Sequence, residues 1–266
     1  MPLTGIQFEV AKVLRRFRSA DHYIGGGAAL NRDKPRISDD FDIFGDRDAL
    51  PAVVEQEINA LKEAGYTVEE DRDVRDNYMV EVIVRTGSDE TRVQWMTDPD
   101  TQYRFFPAQP DELLGFRLHD VDNAINKVRA ASSRTTAVRD IVDIASIVNH
   151  IGPLGPLVWA TTAKPLENRA PLQIIRDMRG IAAGYTSEDY RTVRVDGDPV
   201  EKDVIVAAVN EALDRAADYV EDAPLNHPGH LFVDGDDRPI EAAEEQLGQV
   251  RILKIINFAA VPKMVD

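Results

Sequence analysis

The stretch 25–44, GGGAALNRDKPRISDDFDIF, constrains the fold of this chain more than any other part of it. Its end alternates acid and apolar residues at Asp40, Phe41, Asp42 and Ile43. Side chains two apart in a strand share a face. The spacing therefore predicts a strand that turns Phe41 and Ile43 into a core and Asp40 and Asp42 onto one common face. Asp39 has the opposite parity. Two carboxylates side by side repel each other unless a cation lies between them. A divalent ion that takes hard oxygen ligands, Mg²⁺ or Mn²⁺, suits such a pair. Taken alone, Asp-x-Asp also fits an edge strand whose acids face solvent. The glycines upstream favour the first reading. DHYIGGG reads as a short strand ending in a glycine turn, and AALNR as one or two helical turns. At Gly26 and Gly27, backbone N–H groups can approach an anion closely. A metal on the carboxylates can then bridge the phosphates of a nucleotide held by the glycine turn. This is not the Walker pattern, because no Gly-Lys-Ser/Thr follows.

Composition excludes several other classes. The chain of 266 residues is long enough for one large domain or two modest ones. It has no cysteine, hence no disulfide framework, thiolate metal site or cysteine nucleophile. The first residues, MPLTGIQFEV, lack the layout of a signal peptide, and no apolar run reaches the length of a membrane span. The expectation is a cytoplasmic protein with no membrane partner. Net charge is −16, from 31 basic and 47 acidic residues, which argues against broad nucleic-acid binding. One island departs from this. Residues 123–139 hold no acid but contain Lys127, Arg129, Arg134 and Arg139.

Periodicity predicts helices over 5–19 and 48–64, the second stopped by Gly65, and strands in GYTVEED, NYMVEVIVR and ETRVQWM, the last two joined by a hairpin turn at GSDE. Beyond residue 120 the texture becomes helical: 121–131, 135–150, around 170–183, 199–221 and 239–258, with GPLGP at 152–156 as a break. The two VDGD segments, at 195–198 and 233–236, read as Asp-Gly turns. The expected fold class is α/β (α+β), with an α/β domain over 1–120 and a mainly helical domain over 121–266 that completes the cleft; the break at 152 is an alternative boundary. Trp95, Tyr103, Phe105 and Phe106 read as a cluster packing helices on a sheet, and the five histidines show no ligand spacing.

The constellation of glycine turn, spacer and Asp-x-Asp strand resembles the signature of the polymerase-beta-like nucleotidyltransferase superfamily. Within it, GGAAL…RISDDFDIF resembles the AbiEii/AbiGii-type nucleotidyltransferase toxins. A second stretch, LHDVDNAINKVRAASSRTTAVRDIVDI, resembles that family's helical motif, with Lys127 and Asp140 at the matching positions. The resemblance spans about residues 20–150. It implies metal ligation by Asp40 and Asp42. It implies nucleotide binding by Gly26, Gly27, Arg36, Ser38 and Lys127, the lysine neutralising the triphosphate. Asp140 either orients Lys127, assists the attacking hydroxyl, or forms an ion pair with Arg139 or another neighbour; Asp143 reads as structural. The implied function is transfer of a nucleoside monophosphate from NTP to an acceptor hydroxyl on RNA or protein. The chain would then be the toxin of a toxin–antitoxin or phage-defence pair, with a cognate antitoxin as partner.

The sequence departs from that pattern in three places. Ala28 stands where a hydroxyl residue is common. Gln94 stands where a third carboxylate is common, with Glu81 as a candidate substitute. The chain beyond residue 150 matches no motif of the family. The alternative implied by Gln94 is a non-catalytic nucleotide-binding or interaction module that retains the fold.

Overall fold

The computed structural model describes residues 3–46, 50–70, 79–97, 102–165 and 167–257. Contacts divide them into two units. One comprises the described residues up to 102 together with Phe106–His119. The other comprises Tyr103–Phe105 and Asp120–Asn257.

The first unit opens with α1 (Gly5–Leu14), followed by a 3₁₀ turn at Arg15–Phe17. The expected helix over 5–19 is thus an α-helix that tightens at its end. Thr4 and Gln7 close a capping box at its start, each side chain bonding the other's backbone N–H. The strands are β1 (His22–Gly25), β2 (Asp40–Gly45), β3 (Thr67–Glu70), β4 (Met79–Thr86) and β5 (Asp89–Met96), and later β7 (Gln109–Asp111) and β8 (Gly115–Arg117). They form one sheet in the order β3-β4-β5-β2-β1-β8-β7. The pairs β2–β5 and β1–β8 are parallel, and the others antiparallel. Between β1 and β2 lies α2 (Gly26–Leu30), and α3 (Leu50–Glu63) follows β2. The expected start of α3 at 48 and the Asn77–Tyr78 start of the fourth strand lie outside the described residues.

The main core covers one face of this sheet. Phe41 and Ile43 on β2, Val93 and Trp95 on β5, and Val80, Val82 and Val84 on β4 pack with Val10, Leu14, Val54, Ile58 and Leu61 of the helices. A buried polar network runs through that core. Glu57 pairs with Arg18, accepts from Trp95 Nε1 at 2.8 Å and lies 3.6 Å from His22 Nδ1. Burial, aided by the Arg18 charge, lowers the His22 pKa to about 3, so this histidine is neutral. Burial also raises the Glu57 pKa, against the pull of Arg18 and the Trp95 hydrogen bond. On the opposite face a smaller apolar group, Tyr23, Phe44, Ala108 and Leu118, fills only part of the sheet. The rest of that face carries the polar residues described below.

The second unit is mainly helical: α4 (Asp120–Ala131), α5 (Val138–His150), α6 (Leu154–Thr161), α7 (Pro171–Gly184), α8 (Ser187–Arg191) and α9 (Lys202–Asp222). The long α9 packs on α5, α6 and α7, while α4 packs on α5 and α6. Two short ladders complete it, β9 (Leu231–Val233) with β10 (Arg251–Leu253) and β6 (Tyr103–Arg104) with β11 (Ile256–Asn257).

The expected break in GPLGP is present but short: α5 ends at His150, α6 begins at Leu154, and Pro156 lies in the first turn of α6, where a missing N–H costs nothing. One expectation fails in this unit. The stretch 239–258 is not a helix. It runs through a 3₁₀ segment at Glu244–Gln249 into β10 and β11. The β-branched residues Ile252 and Ile256 find strand partners there, opposite Phe232 and Arg104, which local helical periodicity cannot anticipate. The expected aromatic cluster also resolves differently. Trp95 is fully buried in the sheet core, Phe106 stacks on His119 at 3.9 Å in the same unit, and Tyr103 lies in the second unit's β6–β11 ladder.

Candidate active site

Asp40 and Asp42 lie on β2 with their side chains on one face, opposite the face that Phe41 and Ile43 bury. Asp40 is buried and accepts a hydrogen bond from Ser38 Oγ at 3.1 Å, while Asp42 is half-buried. Asp39 precedes the strand and is exposed. The pairing of β1 with β2 sets Gly25 opposite Asp42, so the chain leaves β1 and enters α2 directly beside the carboxylates.

The glycines allow that closeness. Gly26 has φ +62°, and a Cβ there would collide with the Asp42 carboxylate. A Cβ on Gly27 would collide with the Arg36 guanidinium and the Ser38 hydroxyl. At Gly26 the positive φ disfavours any Cβ as well, while at Gly27 a side chain would force Arg36 or Ser38 to move. The sequence placed a glycine turn before α2. In the structure the strand ends at Gly25, and Gly26 and Gly27 form the first turn of the helix itself.

Neighbouring elements hold this arrangement in place. Gln7 of α1 donates to the Ser38 carbonyl at 2.8 Å. Arg32, just past α2, pairs with the buried Asp111, whose other oxygen accepts from Leu113 N at 3.0 Å and Leu114 N at 2.8 Å. The tight β7–β8 turn thus anchors the end of the glycine helix. Ala28 is buried in the main core.

The face continues across two more strands. Asp42 stands opposite Gln94 on β5, and Gln94 opposite Glu81 on β4. The sequence could not fix the face of Glu81. The register puts it on the carboxylate face, hydrogen-bonded to Gln94 Nε2 and 3.4 Å from Arg92 Nε.

In the helical unit, Lys127 of α4 is almost wholly buried. Its Nζ lies 2.6 Å from Asp140 Oδ1 and 3.1 Å from Asp143 Oδ2, both on α5. Both carboxylates are buried, and Arg134 Nη1 lies 4.0 Å from the second oxygen of Asp140. Asp143, read from the sequence as structural, is therefore a direct partner of the lysine. The acid-free island is acid-free only along the chain: Lys127 meets two aspartates, and Arg129 lies 3.9 Å from Glu167.

The carboxylate pair fits a divalent cation, since both acids share a face against a backbone that carries no Cβ. Among the described residues no group of three or more acid or histidine side chains is placed to hold a metal. A cation here would complete its shell with phosphate oxygens and water, as Mg²⁺ commonly does.

The structure is similar in fold to solved proteins. MenT4, a nucleotidyltransferase toxin from Mycobacterium tuberculosis H37Rv, matches with a TM-score of 0.50 and 16% identity over 83% of this chain and 83% of that one. The fold is that of the nucleotidyltransferases. A second match, JHP933 from Helicobacter pylori, has a TM-score of 0.50 and 14% identity over 81% of this chain and 91% of that one. No family model matches the chain, and no curated protein sequence matches it. No helix among the described residues is long and apolar enough to cross a membrane.

Proposed function

We propose that the chain is a metal-dependent nucleotidyltransferase that uses NTP and Mg²⁺ or Mn²⁺ to place a nucleoside monophosphate on an acceptor hydroxyl. The observation carrying this reading is the packing of Gly26 and Gly27 against Asp42, Arg36 and Ser38, beside Asp40 on the same sheet face. Asp40 and Asp42 would hold the metal, which supplies charge neutralisation to the phosphates. Gly26 and Gly27 offer backbone N–H groups at the closest point of approach. Arg36 and Ser38 stand at the glycines as phosphate-binding side chains. Lys127, oriented by Asp140 and Asp143, is the ammonium assigned to the triphosphate. As a compact point charge it suits the charge that gathers on departing pyrophosphate.

The likeness to a toxin and the motif resemblance to AbiEii-type proteins support a toxin with a cognate antitoxin. The acceptor would be RNA or a protein side chain. The setting would be the cytoplasm.

The test is incubation of the protein with each α-labelled NTP, Mg²⁺ and cell lysate. Label should appear on an acceptor with wild type. It should fall at least a hundredfold with Asp40→Asn or Asp42→Asn, since each removes a charge from the divalent ion's first shell. Both variants should keep the wild-type circular dichroism. Undiminished transfer by either would remove the carboxylates from the mechanism. Metal-dependent nucleotide binding with no transfer by wild type would favour a non-catalytic module, the reading suggested by Gln94.

A further inference from the structure

Two packed helices of the second unit leave a gap between them. Where α5 meets α9, alanines line the space: Ala145 on α5, Ala208 and Ala212 on α9. Side chains this short do not fill it, and a pit of about 240 Å³ remains, lined also by Leu154 of α6. Ala145, Leu154 and Ala212 are buried, so its floor is apolar. Its mouth is charged, because the exposed Glu211, Arg215 and Glu241 complete the lining. The pit is smaller than the roughly 300–1,000 Å³ of sites that enclose a whole small molecule. It has the size and character of a socket for one bulky apolar side chain, the form that anchor residues take at protein interfaces.

The surface beside the pit extends along α9. Positions 204, 208, 211, 215, 218 and 222 follow one another at steps of three and four, so they share a helix face, and all are exposed. The face is apolar at its start, where Val204 is 67% exposed and Ala208 follows. It is acidic toward its end, where Glu211, Asp218 and Asp222 stand with one base, Arg215, already paired to Glu211. Glu241 adds a carboxylate from outside the helix. Burial raises its pKa against the pull of Arg215, so a further cation nearby would favour its charged form. An apolar socket rimmed by excess acid is complementary to an apolar side chain flanked by Lys or Arg. A second copy of this chain fits poorly, since two molecules of charge −16 would meet through acidic surfaces.

We propose that this face docks a basic amphipathic helix of a partner protein. One bulky apolar side chain of that helix fills the pit, and its Lys or Arg neighbours lie on Glu211, Glu241 and Asp218. The surface stands apart from the nucleotidyl-transfer reading, and its test uses no transfer.

The probe is a displayed library of random peptides, each long enough for about five helical turns. Peptides are selected on wild type and counter-selected on Ala208→Trp, whose indole enters the pit from an exposed position. The recovered sequences should share a Leu, Met, Phe or Trp with Lys or Arg three or four residues to either side. The strongest of them, labelled with fluorescein, should bind wild type in anisotropy titrations and lose at least roughly tenfold in affinity to Ala208→Trp. The double variant Glu211→Gln, Glu241→Gln should weaken it about fivefold in dilute buffer and much less in about 0.5 M NaCl. This charge variant decides alone should Ala208→Trp not keep the wild-type circular dichroism.

A selection that yields no peptide preferring wild type, or a consensus rich in acids, overturns the proposal. So does an affinity indifferent to the double glutamine variant. Sedimentation showing a wild-type dimer that Ala208→Trp converts to a monomer overturns it as well, because the pit would then belong to a second copy of the chain.

Discussion

At the scale of single residues, Lys127 shows how an assignment by motif changes once partners are visible. Along the chain it is a basic residue in a stretch without acids. In the fold it sits between Asp140 and Asp143, with 10% of its side chain exposed. Replacing it does two things at once. Lys127→Met removes a candidate phosphate-binding charge and also leaves two buried aspartates facing each other. Removing one partner of a buried pair costs about 3–5 kcal/mol. We predict a loss of that size in urea-denaturation stability for Lys127→Met. Most of it should return in the neutral triple variant Lys127→Met, Asp140→Asn, Asp143→Asn. Transfer should be lost in both. A Lys127→Met protein as stable as wild type would show that the two aspartates do not depend on the lysine, and a stable, active triple variant would remove all three from catalysis.

At the scale of elements, the Arg18–Glu57–His22–Trp95 network joins the end of the α1 segment, α3, β1 and β5 inside the core. Of these, β1 and β5 flank β2 in the sheet, and the helices pack against its core face. His22 is held neutral: its folded pKa is about 3, against an ordinary value of 6.5. The unfolded chain therefore binds a proton that the folded one refuses. This stability is fully present above pH 6.5 and is lost as pH falls toward 3. Glu57 acts with the opposite sign, because burial raises its pKa and the folded state keeps a proton more readily. Comparison with His22→Asn separates the two. Between pH 6.5 and 5, wild type should lose about 2 kcal/mol of unfolding free energy more than His22→Asn does. Parallel pH dependences in urea denaturation would show that His22 is not the titrating group.

At the scale of the whole molecule, the governing quantity is the charge of −16. A polyanion gains affinity by exchanging counterions for Lys and Arg, and here acids outnumber bases 47 to 31. The basic stretch near Lys127 does not offset this, since Lys127 and Arg129 already face carboxylates. We predict no retention of duplex RNA or DNA in gel-shift assays at about 0.15 M salt, the ionic strength at which charge screening is physiological. An acceptor RNA would then be recognised through a terminus or a structured element and not by its length. Length-dependent binding of random duplexes would contradict this.

Local pattern was enough for β2. Alternation put Asp40 and Asp42 on one face, because side chains two apart in a strand have no other option. The same reasoning located α3, α4, α7 and α9 closely, since their apolar spacing is long and regular. It failed at 239–258, where strand partners distant in sequence outweighed local periodicity. It was equally blind to the face of Glu81. Parity is relative within a strand, and only the register of β4 against β5, and of β5 against β2, ties that parity to Asp42. Chain order alone revealed which groups share a strand face and where glycines stand beside the carboxylates. Which charges meet across elements came only with the fold, because ion pairs such as Lys127–Asp143 and hydrogen bonds such as Gln94–Glu81 depend on distances that chain order does not encode.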